Sequence, residues 1–307
     1  MEAASQISRS CPTCLGRNYV IERRSDRATA RLCDCSRQCP RCGGRGHAYQ
    51  TREETFSAKV GPRTYEVLVP CGCRSLHRRM ELFSRTLLPG VLAKADFDSY
   101  RASNEAQDRA KKVAQAFALG YSGAQASKGY VLSGPVGTGK THLLAASLSH
   151  LTLELGIESS YIEISLLYAT IRRGFQEGKS GGEIIGPLSE VDVLAIDELG
   201  KGRGSPFELE TLDELIARRY NAGKTTLFAT NYSLSSKRES VRSTAGYRGT
   251  EEAQPTKDSE LLRDRVGERI YSRLCEMCEF VELPAGTPDR RYTRHELETG
   301  TGRGRPK

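Results

Sequence analysis

No apolar run of 18 residues occurs anywhere in these 307 residues, which excludes a membrane-spanning helix. The opening, Met1-Glu2-Ala3-Ala4-Ser5-Gln6, lacks the charged-then-apolar pattern of a secretory signal. The expectation is a soluble cytoplasmic protein with no membrane partner, held in a reducing compartment. Acidic residues are scarce at the start. Residues 1–100 hold 17 Lys and Arg against 10 Asp and Glu, so +7 of the total charge of +8 lies in the first third. Such a balance invites contact with nucleic acid. Large apolar residues are also few there, so a small segment of this kind needs a staple other than a core. The length leaves room for two domains.

Cysteine is what the first third has in quantity. Eight of the ten cysteines fall between positions 11 and 73, in two copies of one arrangement. Cys11-x-x-Cys14 is followed by Cys33-x-Cys35, and Cys39-x-x-Cys42 by Cys71-x-Cys73. The flanks repeat too: Cys11-Pro12-Thr13-Cys14-Leu15-Gly16-Arg17 matches Cys39-Pro40-Arg41-Cys42-Gly43-Gly44-Arg45. Each half reads as two knuckles with two thiolates each, joined by a β-rich span (Tyr19–Glu22, then Tyr65–Val69). A zinc ribbon closes a tetrahedral four-thiolate site in this way. A reducing compartment disfavours disulfides, and no single exposed cysteine is marked out for redox or nucleophilic work. Structural Zn²⁺ explains both the spacing and the even count. The repeat favours sequential sites (11, 14, 33, 35 and 39, 42, 71, 73), with crossed pairing as the alternative. Two such sites would each carry −2, lowering the charge of residues 1–100 to about +3. His47 and His77 read as bystanders to full ligand sets. Cys275-x-x-Cys278 has no second pair near it and reads as packed small hydrophobes.

Residues 74–92 read as a basic helix, broken at Leu88-Pro89-Gly90, and a further helix is expected over about 103–120. Strands then alternate with helices, near 129–133, 159–164, 191–196, 225–230 and 279–283. That alternation predicts an α/β fold, a parallel sheet flanked by helices. The expected organisation is a zinc domain at 1–80, a linker at 81–100 and the α/β domain at 101–295. A polar, mobile insertion is expected at 235–258 and a disordered basic tail at 296–307.

Gly134-Pro135-Val136-Gly137-Thr138-Gly139-Lys140-Thr141 matches the G-x-x-x-x-G-K-[ST] phosphate loop, with an apolar strand before it and a helical pattern after it. Glycines let backbone N–H groups converge on a polyphosphate at a helix N-terminus. All eight residues, with His142 next to them, are candidate ATP contacts. Lys140 is placed for the β- and γ-phosphates and Thr141 for Mg²⁺. The apolar run Val191–Ile196 ends in Asp197-Glu198. Asp197 is the second candidate Mg²⁺ group, and Glu198 is the candidate general base for an attacking water. Asn231 ends another strand and reads as a water-orienting or γ-phosphate-sensing group, or as a turn cap.

These motifs, together with Val266-Gly267-Glu268-Arg269-Ile270-Tyr271-Ser272-Arg273-Leu274 and Ala95-Asp96-Phe97-Asp98-Ser99-Tyr100, resemble the DnaC/DnaI/IstB branch of AAA+ ATPases over roughly residues 90–295. The resemblance implies an ATPase that loads a replicative helicase, or a transposase helper. It implies that Arg273, with Arg269 as the second candidate, is a finger reaching a neighbouring subunit's γ-phosphate, so that hydrolysis requires self-association. It places a second sensor arginine at Arg291, with Arg290 as the alternative. It also implies a single-stranded DNA path, for which Arg172, Arg173 and Lys179 are the candidate phosphate contacts. Tyr168 and Phe175 either stack on bases or pack, and Phe175 reads as packing. A zinc-bound N-terminal adaptor resembles the DnaI type of loader, with the replicative helicase as the implied partner. The alternatives are an IstB-like transposition helper, and a zinc-dependent binding module with a nucleotide switch and little turnover.

Overall fold

The computed structural model describes residues 11–36, 39–55, 61–123, 127–234 and 260–287. The expected insertion at 235–258, the tail at 296–307 and the arginines at 290 and 291 lie outside the described residues.

Five short runs, each with at least two β-branched or aromatic residues, form one parallel sheet: β5 (Gly129–Ser133), β6 (Ser159–Glu163), β7 (Val193–Asp197), β8 (Thr225–Thr230) and β9 (Cys278–Glu282). Their order across the sheet is β6-β7-β8-β5-β9, and every neighbouring pair is parallel. Every residue of β5, β7 and β8 is buried, as expected where helices cover both faces of a parallel sheet. On one face, α1 (Cys73–Arg85), α2 (Glu105–Gly120) and α3 (Lys140–His150) bring Phe83, Ala114, Leu143 and Leu144 against Leu132, Val193, Leu227 and Ala229. On the other, α4 (Ile164–Gln176), α5 (Gly181–Glu190), α6 (Pro206–Asn221), α7 (Leu262–Val266) and α8 (Glu268–Met277) bring Leu167, Ile185, Leu212, Leu262 and Leu274 against Val131, Leu194, Ile196 and Phe228. Helix starts are written locally. Asn104 caps α2, and Ser180 with Glu183 and Ser205 with Glu208 form capping boxes for α5 and α6.

Two antiparallel hairpins precede the sheet, β1 (Tyr19–Arg24) with β2 (Arg27–Leu32) and β3 (His47–Thr55) with β4 (Pro62–Pro70). They relate differently to the rest of the chain. The first is fastened down: Ala28 N–H donates to the Leu88 carbonyl at 2.9 Å, Gly90 N–H to the Asp26 carbonyl at 2.7 Å, and Tyr19 Oη to Glu154 Oε1 at 2.8 Å. Tyr19 and Ala28 join the same core as Phe83 and Leu143. The segment 81–100, expected to link two units, is built into this junction, with Phe83, Leu88 and Tyr100 fully buried. The second hairpin stands away, and of its eighteen strand residues only Ala48 is buried. No helix among the described residues is long and apolar enough to cross a membrane.

Candidate nucleotide site and cysteine clusters

The phosphate loop runs from the end of β5 to the first turn of α3, at the carboxyl edge of the sheet. Gly134 has φ 140°, and a Cβ there would lie 2.4 Å from the carbonyl oxygen of Leu283, so no side chain fits. Gly139, the residue before α3, is left-handed at φ 94°. Tyr100 Oη, buried on the segment before α2, donates to the Thr138 carbonyl at 3.0 Å and holds the loop from behind. Lys140 is almost fully buried and donates Nζ to the carbonyls of Gly134 and Pro135, each at 2.7 Å. The ammonium thus lies folded within the loop that the backbone N–H groups surround, where a polyphosphate would draw it outward. His142 points away from the loop, with Nε2 at 2.9 Å from the Asp96 carbonyl and 3.2 Å from Ser99 Oγ, against the Tyr100 ring.

The end of β7 meets this loop. Thr141 Oγ1 donates to Asp197 Oδ2 at 2.8 Å, and Tyr161 Oη donates to the same oxygen at 2.9 Å. Burial and the Asp197 carboxylate raise the Tyr161 phenol above its ordinary value, so it stays a donor. A hydroxyl and a carboxylate converging at the carboxyl edge are the hard oxygen donors that Mg²⁺ takes, and the pair fits that ion. When bound, Mg²⁺ would neutralise charge on the phosphate oxygens.

Glu198 follows at φ 55°, a left-handed backbone uncommon outside glycine, with its N–H given to Asp197 Oδ1 at 2.8 Å. Its carboxyl touches Lys201 Nζ and faces Glu163, whose Oε1 lies 3.3 Å from the same ammonium. Burial and then the Glu163 carboxyl raise Glu198, while the hydrogen bond from Glu198 lowers Glu163. The two carboxyls face each other beside the Lys201 ammonium, and each biases the other's hold on its proton. Neither Tyr161, Glu163 nor Lys201 stands out in the sequence. The β6–β7 register, which sets Glu163 opposite Asp197, brings in Tyr161 and Glu163, and Lys201 reaches Glu163 from the turn after β7, three residues past Glu198.

The other candidates are scattered. Asn231 directly follows β8 and is exposed. Arg269 and Arg273 lie on α8, each paired with Asp213 of α6 rather than with the loop of their own chain. On α4, Arg173 is exposed, and Arg172 Nη2 lies 3.9 Å from Glu208. Lys179, just beyond α4, pairs with Glu177 at 2.7 Å. Tyr168 is buried in the core, whereas Phe175 is half exposed, its ring centroid 6.0 Å from that of Phe207. Cys278 is buried and donates to the Thr226 carbonyl, while Cys275 is exposed.

The eight early cysteines form two clusters, Cys11, Cys14, Cys33, Cys35 and Cys39, Cys42, Cys71, Cys73, each with all sulfurs within 4.8 Å of one another. This is the sequential pairing. Sulfur separations of 3.8 and 3.5 Å in the first and 3.6 and 3.4 Å in the second approach the edge of about 3.8 Å that a tetrahedron of 2.3 Å Zn–S bonds requires. The repeat extends to the knuckles: Leu15 N–H donates to the Cys11 carbonyl and Gly43 N–H to that of Cys39, while Arg17 and Arg45 donate Nε to Cys14 and Cys42. Backbone N–H groups of Cys14 and Thr13 pull the Cys11 thiol down to about 6, whereas burial pushes Cys73 up to about 12. Four sulfurs around one point, sharing protons unequally, fit a divalent zinc ion that takes them all as thiolates.

Fold and site together define the AAA+ class of phosphate-loop proteins. Within that class, the sequence profile described as "IstB-like ATP binding protein" matches residues 72–242, more than half of the chain, and the chain belongs to this family, the DnaC/DnaI/IstB branch. The replicative helicase loader DnaC of Escherichia coli (strain K12) is 30% identical over 150 residues, which is 48% of this chain and 60% of that one. The uncharacterized protein YdaV of the same strain is 26% identical over 155 residues, 49% of this chain and 60% of that one. The chain therefore spans less than two thirds of the length of these relatives. A crystal structure of the DnaC helicase loader superimposes with a TM-score of 0.52 at 27% identity, covering 63% of this chain and 99% of that one. The family profile starts at residue 72, so seven of the eight clustered cysteines precede it.

Proposed function

We propose that this protein is an ATP-dependent loader of a replicative DNA helicase. It binds ATP and Mg²⁺ at the phosphate loop, engages single-stranded DNA and contacts the helicase through its zinc-bound N-terminal region. The observation that carries the reading is the Thr141–Asp197 contact, in a chain of the DnaC/DnaI/IstB branch. Lys140 holds the β- and γ-phosphates, Asp197 and Thr141 hold Mg²⁺, and Glu198 takes the proton of the attacking water with Asn231 orienting it. Arg273 and Arg269 serve a neighbouring subunit's site, and Arg291 senses the nucleotide, while His142 braces the segment of Asp96, Ser99 and Tyr100 behind the loop. Arg172, Arg173 and Lys179 contact DNA phosphates, the first and last by exchanging their present carboxylate partners for phosphate.

The N-terminal region is tested by capture of the replicative helicase. Cutting the chain near residue 90 would remove Phe83, Leu88 and the β1–β2 hairpin from the core, so a failure there would report unfolding. Replacing the tip of the exposed hairpin, residues 49–68, by a short turn spares the core. The full chain is expected to capture the helicase and the shortened one to lose it while keeping its ATPase activity. Capture by neither refutes the loader reading, and equal capture by both removes the hairpin from the contact. Lys140→Ala is expected to abolish ATP binding, and retained affinity would remove the phosphate-loop assignment. The family description favours one other reading, an IstB-like transposition helper, and ATP-dependent remodelling of duplex DNA would decide for it.

A further inference from the structure

Arg269 and Arg273 stand four residues apart on α8, hence on one face of the helix. Two guanidinium groups at that spacing repel, and each long side chain samples many rotamers unless something fixes it. Asp213 of α6 meets both. Arg273 donates Nη1 to Oδ1, and Arg269 Nη2 lies 3.6 Å from Oδ2. Tyr220, also on α6, sets its ring 6.0 Å from the Arg273 guanidinium carbon and ties its own Oη to Glu276 of α8 at 2.8 Å. The exposures differ accordingly: the Arg273 side chain is 20% exposed and that of Arg269 75%. One carboxylate against two guanidinium groups leaves a net positive charge in a fixed geometry, suited to an anion richer in charge than a carboxylate. The pair also lies on the wrong side of the sheet for its own chain's phosphate loop. Helices α6 and α8 pack on the face of Val131 and Phe228, α3 on the face of Leu132 and Ala229.

We propose that Asp213 is a positioning residue for this arginine pair, holding Arg269 and Arg273 as one fork presented to the triphosphate bound by a second copy of the chain. The proposal rests on the reading of the site as an ATPase completed by a neighbouring subunit. Asp213 acts through the arginines and touches no nucleotide itself.

Asp213→Asn keeps the side-chain shape and removes the charge. In the full chain it is expected to lower kcat by roughly tenfold or more while leaving KM for ATP unchanged, the mark of a transition-state group held off its mark. Asp213→Glu is expected to retain most of the turnover, and an equal loss in both would overturn the proposal by showing that the carboxylate charge is immaterial. Mixing supplies the decisive readout. Lys140→Ala subunits, inactive in their own loop, carry an intact fork, so adding them to Asp213→Asn subunits should raise turnover above the sum of the two alone. A loss that mixing leaves unrepaired would place the effect of Asp213 inside its own subunit and overturn the proposal, as would an unchanged kcat. Arg269→Ala and Arg273→Ala, measured alongside, separate the two levels. If neither lowers turnover, the neighbouring-subunit reading fails; if either does and Asp213→Asn does not, only the positioning role fails.

Discussion

Thr141 donates its hydroxyl to Asp197 Oδ2 across 2.8 Å, tying the first turn of α3 to the end of β7. Tyr161 supplies a second hydroxyl to the same oxygen and the Glu198 N–H donates to the other, so both oxygens of the buried carboxylate are held by protein beside the phosphate loop. Asp197→Asn removes the charge and keeps the shape. Nucleotide binding is expected to lose its Mg²⁺ dependence and turnover to fall by roughly 100-fold or more. Titrations of ATP with and without Mg²⁺ check this, and an Mg²⁺ response equal to the parent's would remove Asp197 as a metal group.

Glu198 is raised by burial and by the Glu163 carboxyl, with Lys201 working the other way. A general base must be ionised to act, so kcat is expected to fall as pH drops through this raised value, at a higher pH than an ordinary glutamate would dictate. Glu163→Gln takes away the like charge and should move that acid limb to lower pH. Glu198→Gln should bind ATP and hydrolyse it about 100-fold or more slowly. The measurement is kcat against pH for the three proteins. An acid limb unmoved by Glu163→Gln would show the two carboxyls to be uncoupled.

The phosphate loop and Asp197-Glu198 were legible in the sequence because their chemistry is contiguous: glycines that bend a loop, then a lysine and threonine that open a helix. The alternation of strand and helix gave the parallel sheet for the same reason. Tyr161, Glu163 and Lys201 were not legible. Tyr161 and Glu163 arrive through the adjacency of β6 and β7, which strand spacing does not disclose, Lys201 matters only because it bridges Glu198 to Glu163, and Tyr161 by itself looks like any strand aromatic. The segment 81–100 misled in another way. Its charged residues and the Leu88-Pro89-Gly90 break read as a linker, yet Phe83, Leu88 and Tyr100, spaced among them, are buried. The cysteine repeat favoured the sequential clusters over crossed ones, but nothing in it said that one hairpin is seated on the core and the other stands clear.

That asymmetry makes the two cysteine clusters separable. Metal analysis is expected to find about two zinc ions per chain. Cys11→Ser with Cys14→Ser should loosen the hairpin that carries Tyr19 and Ala28 and so lower the melting temperature of the α/β core. Cys39→Ser with Cys42→Ser should release one zinc and leave that melting temperature unchanged, because Cys42, Ala48 and Cys71 form a cluster of their own. Calorimetry on both double variants, with zinc counted, is the check. Equal melting shifts would show that the two hairpins are coupled.

Arg219 offers a prediction about stability that leaves the nucleotide site alone. It is fully buried near the end of α6. Its guanidinium donates to Thr226 Oγ1 at 2.9 Å, to the carbonyls of Leu188 at 2.8 Å and Val191 at 2.9 Å, and to the Thr225 carbonyl. Burial pulls its pKa down to about 10, still well above neutrality, so the group is charged at physiological pH. These acceptors lie at the end of α5 and the starts of β7 and β8, the edge of the sheet opposite Asp197. Arg219→Met keeps the packing volume and strands the carbonyls, each costing about 1–3 kcal/mol when left unpaired. A loss of about 3 kcal/mol or more follows if several stay unpaired, which lowers Tm by roughly 6–12 °C in a domain of this size. Arg219→Lys should recover little, since one ammonium cannot reproduce the planar fork that reaches α5 and both strands. Thermal melting decides the matter alongside ATP titration of the protein that remains folded. A melting temperature within a degree of the parent's would mean that the stranded carbonyls find other donors, and a changed ATP affinity would mean that the strut reaches through the sheet to the phosphate loop.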